Sequence, residues 1–196
     1  MTSGLRLALV LAAALLAPAS FAHAQHEREL VEIMQGLAQV KSARGRFVER
    51  KYLAMLEAPL ESSGTLYYAA PGRLEKHMLA PRQESMILEG DTLVIDNKET
   101  GQRRSFALQE HAVLWAFVES IRSTLGGDLA TLKRFYHVAL EGDAQAWRLR
   151  LKPTDRRMRR AATEIRVSGK GAWVGVIEIL EAGGDRSVTS ITREAS

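Results

Sequence analysis

The fold turns on residues 67–81, YYAAPGRLEKHMLAP. Two prolines bracket the run from Arg73 to Ala80, which reads as one strand because proline interrupts a sheet ladder and suits strand ends. Alternate residues of a strand point to opposite faces. One face here is Leu74, Lys76, Met78 and Ala80; the other is Arg73, Glu75, His77 and Leu79. The second set is largely polar, and the first is apolar apart from one lysine. It is a thin, soft face for a protein that must build a core.

Outward from this strand, short alternating segments recur between turn residues. On the N-terminal side lie ARGRFVERKYLAML (43–56) and LESSGTLYYAA (60–70). On the C-terminal side come QESMIL (83–88), a Glu89-Gly90-Asp91 turn, TLVIDN (92–97) and QRRSFAL (102–108). The pattern predicts an antiparallel meander. It then changes. EHAVLWAFVESIRSTLGGD (110–128) is apolar at Val113, Leu114, Phe117, Val118, Ile121 and Leu125, which predicts a helix with a wide apolar arc. Gly126-Gly127 ends it, and Asp128 is placed to cap a short second helix, LATLKRFY. Strands resume with HVALE, AWRLRLKP, TEIRVSG, AWVGVIEILE and RSVTSITRE. At the start of the chain Leu30, Ile33, Met34, Leu37 and Val40 fall at helical spacing within 26–40. The expected class is α+β: about ten or eleven antiparallel strands, an N-terminal helix and a helical pair inserted mid-sheet. The mid-chain helix is either a lid over a cavity or a helix packed permanently on the sheet.

The chain opens MTSGLRLALVLAAALLAPASFAHAQ. Arg6 precedes an apolar run, Pro18 ends it, and Ala22-His23-Ala24 offers small residues at the positions a signal peptidase reads. The run is short for a membrane span. The expectation is a secretory signal over 1–24, cleaved to leave a single domain over 25–196 in the periplasm. Gln25 rather than cysteine would then begin the mature chain, so no lipid anchor is expected there.

Composition removes several function classes. The chain has no cysteine, which excludes a disulfide framework, a thiolate zinc site and a thiol nucleophile. The formal net charge of +4 is mild and its charges are dispersed, so nucleic acid is not an expected partner. His26, His77, His111 and His137 lie far apart, without metal-ligand spacing. No serine sits in a G-x-S-x-G or S-x-x-K motif, and the Ser168–Gly171 run SGKG is a hairpin turn rather than a phosphate loop. No catalytic residue, metal site or cofactor is expected. Arg156–Arg160, RRMRR, reads as a solvated loop; the competing reading is contact with anionic lipid head groups or an acidic partner.

The order of these segments resembles the periplasmic lipoprotein carrier LolA and its relatives. The resemblance covers most of the chain in element order and is concentrated at 45–97: a strand containing GRFVER, then GTLYYAAPGRLEKHMLAP, then ESMILEGDTLVIDN. It implies a strongly curved, unclosed half-barrel with helices across its open side and a concave face that binds acyl chains. Carried onto this chain, the pattern puts Phe47, Leu66, Leu74, Lys76 and Met78 on that face. Met86, Leu88, Leu93 and Ile95 join them from the hairpin, and Leu114 and Phe117 from the helix above.

The chain departs from the family in three places. Ala70 stands before Pro71 where the carrier has an arginine that latches the lid. Lys76 replaces an aromatic; it meets an anionic group of the ligand, or a one-residue register shift sends it to solvent. The chain also ends soon after its last strand, without the carriers' C-terminal extension.

The implied function is a monomeric periplasmic carrier for the acyl chains of a lipoprotein or another lipid. It would meet an inner-membrane donor and an outer-membrane acceptor transiently. The alternative is a lipid- or partner-sensing regulatory module on the same scaffold, with an enzyme a distant third.

Overall fold

The computed structural model describes residues 18–194. Helix α1 (Pro18–Ala38) leads into six strands: β1 (Ser42–Tyr52), β2 (Leu60–Ala69), β3 (Arg73–Ala80), β4 (Glu84–Glu89), β5 (Thr92–Asn97) and β6 (Gln102–Ala107). A 3-10 turn, Leu108–Glu110, then opens α2 (Ala112–Leu125) and α3 (Leu129–Phe135). After β7 (Tyr136–Asp143) and β8 (Ala146–Pro153) comes α4 (Arg156–Ala161), followed by β9 (Ala162–Lys170), β10 (Trp173–Glu181) and β11 (Arg186–Arg193). Residues 1–17 of the expected signal segment lie outside the described residues, while Pro18 to Ala24 are already part of α1.

The strands form one antiparallel sheet in the order β6-β5-β4-β3-β2-β1-β11-β10-β9-β8-β7. All pairings join sequence neighbours except β1 with β11, which seals the two arms of the meander together. The sheet does not close: β6 and β7 remain its edges. The chain between these edges supplies α2 and α3, so the helices span the opening. This is the α+β half-barrel the sequence predicts.

Register settles which residues share a face, since directly paired residues point the same way. Leu66 pairs Lys76, Lys76 pairs Met86, and Met86 pairs Ile95. Leu74 pairs Leu88, and Leu88 pairs Leu93. Phe47 pairs Gly64, which pairs Met78. All the predicted strand positions therefore stand on one face, the one the helices cover. Both prolines flanking β3 follow cis peptide bonds.

Three boundaries differ from expectation. β1 ends at Tyr52, and Leu53 to Pro59 form a loop, because neither β2 nor β11 extends far enough to pair them. α1 stops at Ala38 rather than continuing through Val40, and β1 follows four residues later. The RRMRR run is not a solvated loop but helix α4: the Asp155 carboxylate accepts from the Arg157 and Met158 amides, and Met158 is buried. One apolar residue among four arginines was enough to dock a turn of helix.

The core lies under one arm. Leu30, Ile33, Met34 and Leu37 of α1 pack with Trp147, Leu149, Leu151, Ile165 and Val167 of β8 and β9. Gly127, at φ +69°, lets the α2–α3 turn lie against α1; a Cβ there would sit 2.2 Å from the Met34 carbonyl oxygen.

Candidate functional site

Two cavities lie between the concave face and the helices. The first has a volume of about 230 Å³. Its floor is Leu66, Tyr68, Leu74, Met86, Leu88 and Leu93, with Lys76 among them; Val118, Ile121 and Leu125 of α2 roof it, and Trp173, Ile177 and Ile191 close the side toward β10 and β11. The second is larger, about 860 Å³. Leu93, Ile95 and Phe106 bound it on one side, Ile165 and Ile179 on the other, and Val113, Leu114 and Phe117 of α2 contribute from above. Its ionisable members are Glu110, His111, Tyr136, Arg157 and Glu181. The larger volume falls within the roughly 300–1,000 Å³ of ordinary ligand sites, and the smaller lies below it.

The residues expected at a lipid site divide between these spaces. Leu66, Leu74, Lys76, Met86 and Leu88 line the first, Leu93 touches both, and Ile95, Leu114 and Phe117 line the second. Phe47 and Met78 line neither. Phe47 is fully buried on the right face, with the Lys76 ammonium 4.9 Å from its ring centroid. Sequence reasoning also missed the wall from β10 and β11, because the motif-bearing stretch ended at Asn97. Val118, Ile121 and Leu125 were visible as the helix's apolar arc without being assigned to a site.

Lys76 stands on the concave face rather than in solvent. Its Nζ lies 2.7 Å from Glu49 Oε2. Glu49 also accepts from Ser62 Oγ at 3.3 Å and Thr189 Oγ1 at 3.4 Å. The pair is only about a quarter exposed, so each charge relies on the other. The alternation of β1 put Glu49 on the same face as Phe47. Only strand pairing across β2 brought it to Lys76.

The helical cover is fastened at its C-terminal end and middle. Arg122 donates to Gly90 O at 3.0 Å and holds Glu119 on its own helix. Its stem lies against Gly72, where a Cβ would sit 2.5 Å from Arg122 Cδ. An arginine therefore does reach the corner beside Ala70 and Pro71, but from the helix rather than from the strand. At mid-helix the Tyr136 hydroxyl donates to Ala116 O at 3.1 Å, and burial pushes that phenol up to about 12. Trp115 packs edge-on against Phe135 at 5.0 Å. Val113, Leu114 and Phe117, toward the N-terminal end, lie over the larger cavity.

The site is an apolar hollow beneath a helix on an unclosed half-barrel. The chain belongs to the family of outer membrane lipoprotein carrier protein LolA-like proteins, whose pattern matches residues 22–196. No curated protein matches it by sequence. Among solved structures it is similar to a LolA superfamily protein from Nitrosomonas europaea, at 11% identity over 84% of this chain and 93% of that one, TM-score 0.44. It is also similar to a conserved protein from Thermus thermophilus, at 10% identity over 88% and 89%, TM-score 0.49. A third likeness is to the Pseudomonas aeruginosa MucA/MucB complex, at 14% identity over 88% of this chain and 58% of that one, TM-score 0.47. Among the described residues no helix is long and apolar enough to cross a membrane.

Proposed function

We propose that the protein is a periplasmic carrier that shields the acyl chains of a lipidated protein or a lipid and delivers them between inner and outer membrane. The observation that carries this reading is the pair of largely apolar cavities under α2. Each methylene moved from water to such a surface gains about 0.8 kcal/mol. A chain of ordinary length thus needs a continuous apolar enclosure to travel through water. The soft floor of Leu74, Met86, Leu88 and Leu93 suits guests of variable shape, because methionine and leucine repack readily. The fastening of α2 supports a hinge-like opening over the larger cavity, with Arg122 and Tyr136 as the fixed points. The signal segment over 1–24 is part of this proposal, since it accounts for export.

The test has two parts. Organic extract of the protein purified from its periplasm is examined by mass spectrometry, and uptake of a fluorescent fatty-acyl probe is titrated. Co-purified lipid and saturable uptake are expected. Leu114→Glu and Phe117→Glu should cut uptake at least tenfold, and Val118→Trp, which fills the smaller cavity with apolar bulk, should also reduce it while the fold holds. Extract free of lipid together with no uptake by folded protein defeats the reading. Transfer of labelled cargo from loaded protein to vesicles separates a carrier from a sensing module.

A further inference from the structure

Helix α4 stands at the mouth of the larger cavity, where Arg157, Met158 and Ala161 are among the lining residues. Its four arginines are not equivalent. The Arg159 guanidinium is tied to the carbonyls of Pro153 and Thr154. Arg156, Arg157 and Arg160 are exposed and, among the described residues, have no carboxylate within ion-pair distance. Elsewhere arginines divide: Arg50, Arg150, Arg166 and Arg186 each hold a glutamate, while Arg82, Arg103 and Arg134, among the described residues, have no carboxylate partner either; α4 differs in setting three unpaired arginines within five positions. Spacing of three and four residues makes Arg157 and Arg156 both neighbours of Arg160 on the helix surface. The acidic members of the mouth do not neutralise this ridge. Glu181 is engaged by Lys51 at 3.2 Å, and Glu110 is an exposed residue beside His111 on the α2 side.

We infer that the larger cavity takes an amphiphile whose phosphate head group is held at the mouth by Arg157, which lines it, with Arg160 and Arg156 beside it on the same helix. This rests on the carrier reading and names the class of its ligand. The apolar walls take the hydrocarbon tail. Guanidinium groups match phosphate oxygens in a forked, two-bond geometry that ammonium groups do not reproduce. Buried Met158 and the Asp155 cap fix the helix, so the three forks are presented from a docked element instead of a floating loop.

Displacement of the fluorescent acyl probe by two single-chain lipids of equal tail length tests this: lysophosphatidic acid and monoacylglycerol, which differ by the phosphate. The phosphorylated lipid should bind at least about tenfold tighter at low salt, with the margin shrinking as salt rises. Replacing all three arginines by serine should bring the ratio close to one. Replacing them by lysine should keep part of it. Equal displacement by the two lipids, or a preference that survives the serine variant, overturns the inference and leaves the carrier reading standing. Arginine-dependent binding to anionic vesicles with no preference between the soluble lipids overturns it too, by assigning the ridge to a bilayer surface. If the probe itself fails to load, the carrier reading falls and this inference falls with it.

Discussion

The two arms of the sheet are built to different standards. Under β7 to β10 the concave face is packed solid toward α1, where Trp147, Leu149, Leu151, Ile165 and Val167 are all buried, and it opens where Ile165 and Ile179 border the larger cavity. Under β3 to β6 the buried apolar residues of the strands are Leu88 and Leu93, with Leu108 of the 3-10 turn beside them. Leu74, Met86 and Ile95 are half covered around them. The same meander thus carries a close-packed core in one arm and an underfilled one in the other. Close packing is the ordinary condition of a protein interior. A thinly filled face beside a solid one separates the part of the interior that carries most of the packing from the part that is left open.

The sharpest way to break that comparison is truncation in each arm. Leu149→Ala should cost about 2–5 kcal/mol, as removal of a fully buried leucine does. Met86→Ala should cost well under half as much, because its side chain already borders empty space. Urea unfolding of both variants reads the difference, and equal costs would erase the distinction between the arms.

Acid sensitivity should also map to the solid arm, on its outer surface. Arg150, and after it Arg166, hold the Glu164 carboxyl down to about 2. A lowered carboxyl pKa stabilises the fold above its unfolded value, and that contribution is lost as pH falls from about 4.3 toward 2. Glu164 is 8% exposed, but its arginine partners are about a third exposed, so after screening the contribution is about 1–2 kcal/mol. Glu164→Gln should flatten the acid limb of a stability–pH curve and leave its slope above pH 6 unchanged.

In the thin arm, Lys76→Met should destabilise by roughly 1–2 kcal/mol, since it leaves Glu49 half-buried without its cation. Adding Glu49→Gln should recover most of that loss; no recovery in the double variant would mean that the pair is not coupled. A loss of similar size is expected from Arg122→Ala, which breaks the bond to Gly90 O and leaves the buried Glu119 without its cation. It should cost about 1–2 kcal/mol and speed hydrogen exchange in the last turns of α2, with β8 unaffected.

Much of the fold could be read from alternation and punctuation. The prolines at 71 and 81 framed β3, the Gly90 turn joined β4 to β5, and Asp128 does cap α3 by accepting from the Thr131 amide. The concave set from Leu66 to Ile95 followed from the same parity rule once the register was given. Misreadings came where local pattern was weak. RRMRR lacked an apolar periodicity, and its helix exists because Met158 finds a pocket in the far arm. Phe47 had the right parity but was spent on supporting Lys76 rather than on lining a cavity.

What the sequence determined by itself was periodicity: which residues alternate, roughly where most strands and helices lie, and that the chain has no cysteine. These are near-neighbour properties, set by backbone geometry and side-chain type. What only the tertiary structure decided was company. The pairing of Lys76 with Glu49, the reach of Arg122 to the Gly90 turn and the division of the hollow into two all depend on residues far apart in the chain. Empty space has no sequence signature, because a cavity is what remains when distant elements pack around a face that their own side chains do not fill.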